Sequence, residues 1–128
     1  DETRDFTYVL DLVQGLIKAA YYEKAIGKAF NLAAGKEIKI KDVISLINES
    51  TGSSIPITKF PPRKWDTKKR LLASIELADN LIDYKPIISF QDGLKANFDW
   101  FNNNWTEIKS SRLLDVHFSC SKSGFRNI

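Results

Sequence analysis

Leu94, Phe98, Phe101, Trp105 and Ile108 recur at spacings of 4, 3, 4 and 3 residues, and only an α-helix brings such positions onto one face. The stripe reads as core packing rather than as a cofactor surface. Ser89 and Asp92 form a Ser-x-x-Asp capping signal at its start. Three shorter helices precede it. In the first, Val9, Val13, Leu16, Ile17 and Ala20 share a face. In the second, residues 41–50, Asp42 sits in the first turn, Val43, Ile44 and Ile47 point inward, and Gly52 stops the helix. The third carries Ile75, Leu77, Ala78, Leu81 and Ile82 behind Ser74 as N-cap, and Tyr84-Lys85-Pro86 ends it.

Short strands are expected between these helices: residues 6–9, 29–33 with Gly35 as the turn, 37–40, and 54–58. The last tolerates Pro56 and so reads as an edge strand. From Ser110 onward the periodicity fails, and residues 119–124 read as a flexible tail. The expected class is α/β, with short strands and three to four helices, and no repeat or second domain is visible.

With 128 residues, 43% of them hydrophobic and 27% charged, the chain can fill one core. No apolar run approaches the roughly 20 residues needed to span a bilayer. The opening Asp1-Glu2-Thr3-Arg4-Asp5 has no signal-peptide character. With no methionine anywhere, the chain reads as an excised domain or a truncated frame. Cys120 stands alone and cannot form an internal disulfide. With His117 it makes too few ligands for zinc, and the two lie in a Ser- and Lys-rich tail without a nucleophile's scaffold. A reduced, cytoplasmic compartment is the expectation.

The glycines, at 15, 27, 35, 52, 93 and 124, are never closer than eight residues apart. A dinucleotide-binding turn needs them clustered so that the backbone can approach pyrophosphate. Nor is there a Gly-x-Ser-x-Gly elbow or a His-Glu-x-x-His helix. The residues point to binding rather than catalysis. The positive charge gathers in residues 59–70, which hold two prolines and six Lys or Arg residues and have no periodicity.

Several segments together carry a resemblance. The opening RDFTYVLDLVQGL, from Arg4, is similar to the RDFTYVDDVVxGL segment of NAD-dependent nucleotide-sugar epimerases and dehydratases, the extended short-chain dehydrogenase/reductases. Leu10 stands where that family often has a first Asp. Residues 29–35, AFNLAAG, resemble its VFNLGSG. Lys39 to Ile47 resemble its S(I/V)KDLAELI helix start, and Arg63-Lys64-Trp65-Asp66 its Arg-x-x-Asp. Residues 73–78, then Tyr84-Lys85-Pro86 and the helix start at Phe90, follow in the family's order. The resemblance spans residues 3–108, with residues 109–128 a tail of unknown role.

The resemblance implies the C-terminal lobe that closes over a nucleotide sugar, most like that of a UDP-sugar 4-epimerase, with a dehydratase or decarboxylase as the alternative. It implies NAD held by an N-terminal domain, and a homodimeric parent. The family's catalytic Tyr-x-x-x-Lys has no counterpart here: Tyr8, Tyr21, Tyr22 and Tyr84 are followed four residues on by Leu12, Ala25, Ile26 and Ile88. The chain alone is therefore expected to be inactive.

By resemblance, Arg4 and Arg63 contact the nucleotide diphosphate from opposite sides, and Asp66 accepts hydrogen bonds from a nucleotide hydroxyl. The chemistry agrees, since guanidinium forks match phosphate oxygens and a carboxylate accepts from a ribose diol. Lys64, Lys68, Lys69 and Arg70 raise the local potential or are simply solvated. The plain alternatives are an ion pair of Arg4 with Asp5 or Asp11, and a local salt bridge between Arg63 and Asp66. Trp65 either stacks on a base or packs on the domain. A rival reading from another class is a stand-alone basic module for a nucleotide or nucleic acid, although a net charge of +3 is modest for it. A third is a non-functional fragment with an uncovered apolar surface.

Overall fold

A computed structural model describes residues 2–61, 63, 64 and 67–111. The chain divides into two compact units, Asp1–Leu94 and Lys95–Ile128.

In the first unit, β1 (Thr3–Asp5) pairs antiparallel with β2 (Glu37–Lys39), Thr3 opposite Lys39, Arg4 opposite Ile38 and Asp5 opposite Glu37. Helices α1 (Val9–Tyr21), α2 (Ile40–Thr51) and α3 (Glu76–Ile82) belong to this unit, and a 3-10 turn (Glu23–Ala25) follows α1. Helix α4 (Phe90–Asn103) begins there; its remainder and α5 (Trp105–Ser110) fall in the second unit.

The core is small: Ala25, Ala78, Ile82 and Tyr84 are buried, with Phe30, Leu32, Ile75 and Leu81 packed around them. Tyr84 is completely buried, and its hydroxyl donates to the Ala33 carbonyl at 3.2 Å. Gly15 makes room for that ring. A Cβ on Gly15 would lie 2.8 Å from both Leu32 Cδ2 and Tyr84 Cε2. Gly15→Ala gains helix propensity of about 1 kcal/mol but overpacks a ring that cannot move, so a net loss of about 1 kcal/mol in urea unfolding is expected.

Burial, and then the nearby charges of Asp11 and Asp5, raise the Tyr84 phenol above its ordinary value of 10.0. The folded state therefore holds this proton more tightly than the unfolded chain. Tyr84 contributes its full stability below pH 10, and that contribution is lost as pH rises through the folded value. Urea unfolding at neutral pH and at about pH 10.5 checks this: the wild type loses stability over that interval, and Tyr84→Phe, lacking the ionisable group, loses less.

Several sequence expectations are corrected. Residues 6–8 are not a strand; the strand is Thr3–Asp5, and Val9 already begins α1. Residues 29–33 and 54–58 join no ladder. The cap before α3 is Ile75, not Ser74, whose carbonyl instead accepts from Asn31 Nδ2 at 3.2 Å. The described residues hold five α-helices rather than three to four, because Asn104 interrupts the last one. No member of the 94–108 stripe is buried, so it is not core; Phe101 and Trp105 meet as tilted rings 5.2 Å apart. In α2, Val43 and Ile44 are half-buried while Ile47 is exposed.

The orientation of α1 is the largest surprise. It buries Asp11 and Gly15, whereas Val9, Val13, Leu16 and Ile17 stand 59%, 41%, 56% and 65% exposed. Its apolar face points away from the unit's own core.

Other expectations match the structure. Helices over residues 9–20 and 41–50, a strand at 37–39 and the break at residues 84–86 are all present. Gly52 closes α2 in the left-handed conformation, with φ 63°. Ser89 caps α4, its Oγ accepting the Asp92 N–H at 3.1 Å and donating to Asp92 Oδ2 at 2.6 Å. No described helix is long and apolar enough to cross a membrane.

Candidate functional site

The ladder places Arg4 in the middle of β1. On the side of β1 away from β2, the chain returning from the basic segment forms a parallel bridge between Thr3 and Arg70. Two backbone bonds hold it there: Thr3 N–H to the Lys69 carbonyl at 2.9 Å, and Leu71 N–H to the Thr3 carbonyl at 3.3 Å. Arg4 thus lies beside the end of the loop that carries Arg63, Lys64 and Lys68.

The Arg4 guanidinium donates to its neighbour's carbonyl, Thr3, at 2.7 Å, to the Lys69 carbonyl at 3.4 Å, and to Glu2 Oε2 at 3.5 Å. The last two are at the outer limit of hydrogen bonding and are easily exchanged for a phosphate oxygen. Arg63 and Lys64 are exposed on the loop. Asp66 and Trp65 lie outside the described residues, as do His117 and Cys120.

Arg4 pairs with neither Asp5 nor Asp11. Asp5 accepts the N–H groups of Ala34 at 3.1 Å, Gly35 at 3.0 Å and Ala73 at 3.3 Å. Asp11 accepts those of Ile87 and Ile88, both at 3.1 Å. Each carboxylate ties distant backbone to the strand or helix that bears it. Both belong to the RDFTYVLDLVQGL motif, but the motif does not say which distant backbone each carboxylate binds.

Arg70 is also committed. Its Nε lies 2.7 and 2.8 Å from the two oxygens of Glu37, and its Nη2 lies 2.6 Å from Oε2. Thr3 Oγ1 adds a bond to Glu37 Oε1 at 2.6 Å. The bond from Arg70, then that from Thr3, holds the Glu37 carboxyl below its usual value. Arg70 is therefore not among the charges free to meet a ligand.

A separate groove of about 480 Å³ runs between β2, the start of α2 and residues 86–91, with Phe6, Ile38, Leu46 and Phe90 as apolar lining and Lys36 and Lys39 at its polar edge. Neither Arg4 nor Arg63 lines it. Among the described residues no group of His, Cys, Asp or Glu is placed to hold a metal ion.

The fold is that of part of an extended short-chain dehydrogenase/reductase. Among solved structures, the chain superimposes on epimerase Mth375 from Methanothermobacter thermautotrophicus with a TM-score of 0.82 and 43% identity, over 86% of this chain and 33% of that one. It matches the Bordetella bronchiseptica enzyme WbmF, solved with NAD+ and UDP, with a TM-score of 0.75 and 32% identity, over 94% of this chain and 34% of that one. It is 32% identical to UDP-glucuronate 4-epimerase from Thermodesulfobacterium geofontis over 88% of this chain and 34% of the relative. Other relatives are UDP-glucose 4-epimerases and a UDP-sugar decarboxylase. No protein-family model matches the chain. The chain belongs to the NAD-dependent nucleotide-sugar epimerase/dehydratase family, and it spans about a third of the length of these relatives.

Among the described residues no parallel strand–helix unit cradles a dinucleotide's pyrophosphate. The two strands are three residues long and antiparallel, unlike the parallel strand–helix unit whose clustered glycines admit pyrophosphate. Gly15, the glycine nearest the start of α1, is packed under Tyr84 instead.

Proposed function

We propose that the chain is the nucleotide-sugar-binding part of an NAD-dependent UDP-sugar 4-epimerase, residues 1–108 forming the lobe and 109–128 a segment outside it. The observation that carries the reading is the position of Arg4 beside the returning end of the basic loop, 3.4 Å from the Lys69 carbonyl. That neighbourhood concentrates positive charge where a dianionic diphosphate needs it. Arg4 binds the diphosphate from the strand, Arg63 from the loop, and Asp66 accepts from a ribose hydroxyl.

In this reading NAD belongs to a separate N-terminal domain and supplies reversible hydride transfer at the sugar; the chain by itself neither retains NAD nor turns over UDP-sugars. The parent is a cytoplasmic homodimer. A dehydratase or decarboxylase is the second reading, favoured by the decarboxylase among the relatives, and the same diphosphate contacts serve it.

Arg63→Ala tests the assignment. It is expected to weaken UDP binding by about 2 kcal/mol, the scale of a lost hydrogen bond to a charged group, and to leave uridine binding unchanged. An unaltered dissociation constant for UDP removes Arg63 from the site.

A further inference from the structure

The basic loop is tied at both ends. Near its start, Asn48 Nδ2 on α2 donates to the Ile55 carbonyl at 3.1 Å. At its end, Glu37 gathers three segments at one carboxylate: its own strand β2, Thr3 of β1, and Arg70 of the returning chain. An isolated surface ion pair contributes little, but a forked guanidinium–carboxylate pair with a third donor has the geometry that does contribute. Its place in the chain matters as much as its strength. The residue before Arg70 is Lys69, whose carbonyl takes both the Thr3 N–H and Arg4 Nη1.

We infer that the Glu37–Arg70 pair is a positioning latch, which fixes the end of the basic loop against β1 and so sets the spacing between Arg4 and the loop guanidinium of Arg63 for a single diphosphate. Arg70 acts through Glu37 and touches no ligand, although its sequence neighbours suggest a phosphate contact. The inference rests on the nucleotide-sugar reading above, and its structural half is measurable without any ligand.

The test uses the full chain, Glu37→Gln, and the charge-swapped double variant Glu37→Arg/Arg70→Glu. Amide exchange at Thr3 and Leu71 reports the latch, because their N–H groups make the two bonds across to the returning chain. NMR titrations with UDP and with uridine report positioning. Glu37→Gln is expected to speed exchange at both amides and to weaken UDP about fivefold, the upper end for an exposed pair. Uridine affinity stays unchanged, and the swap restores both readouts. Unaltered exchange overturns the latch. Faster exchange with undiminished UDP affinity, in a wild type that prefers UDP to uridine, overturns its positioning role. A wild type with no such preference overturns the nucleotide reading and the positioning role with it, while the exchange rates still report whether the latch holds the loop.

Discussion

Asp11→Ala is expected to lower the stability of the chain by about 3 kcal/mol, because two backbone donors lose a charged acceptor that nothing else replaces. Asp11 is 3% exposed, and its two oxygens each accept one N–H, from Ile87 and Ile88 at 3.1 Å. It sits on the inward face of α1, one turn before Gly15. The substitution therefore releases the connection between α3 and α4 from the helix that anchors it. Against the 5–15 kcal/mol typical of a folded domain, such a loss is large. Urea unfolding followed by circular dichroism measures it. Asp11→Asn, which keeps one acceptor oxygen, is expected to fall between wild type and Asp11→Ala. A loss below 1 kcal/mol for the alanine variant shows that the two amides find other partners.

The second large effect is expected at Asp5. Its carboxylate holds Ala34 and Gly35, just before β2, and Ala73, just after the Thr3–Arg70 bridge. Ala34 N–H has a second acceptor in Thr7 Oγ1 at 3.1 Å, so Asp5→Ala strands two donors rather than three. A loss of about 2 kcal/mol follows. The residue also neighbours Arg4, so a weaker response of Arg4 to UDP should accompany the lost stability. Unfolding measurements check the first part and titration by NMR the second. Retained stability with normal UDP binding contradicts both.

Local signals were legible where the physics is local. The helical period at residues 9–20 and 41–50, the stop at Gly52, and the Ser89–Asp92 cap each depend on residues within a turn or two of one another. The strands were less legible because a β-rich run becomes a strand only if a partner pairs with it. Residues 6–8 carry β-branched and aromatic side chains, yet β2 offers only three residues, and Thr3–Asp5 takes all of them. Residues 29–33 and 54–58 have the composition of strands and no ladder to join. The inverted face of α1 was hidden for a related reason: its apolar stripe satisfies every helical rule, and which face turns inward is decided by Asp11 and Gly15 on α1 together with the distant Tyr84 and the backbone at Ile87 and Ile88.

The candidate site divides the same way. Arg4 and Arg63 stood out by motif and charge. The bonds that hold the segments around Arg4 together did not, because Asp5, Glu37 and Arg70 find their partners only through pairings more than 25 residues apart in sequence. Arg70 looked like one more solvated cation of the loop, and its forked bond to Glu37 shows otherwise.

The central claim is that the strand bearing Arg4 and the loop bearing Arg63 form a site for the diphosphate of a nucleotide sugar. The direct measurement is an NMR titration of this chain with UDP and, separately, with uridine. The account predicts that UDP binds more tightly, with shifts centred on Arg4, Arg63 and Lys69. Equal binding of the two, or a preference for oligonucleotides that falls steeply with added salt, contradicts it.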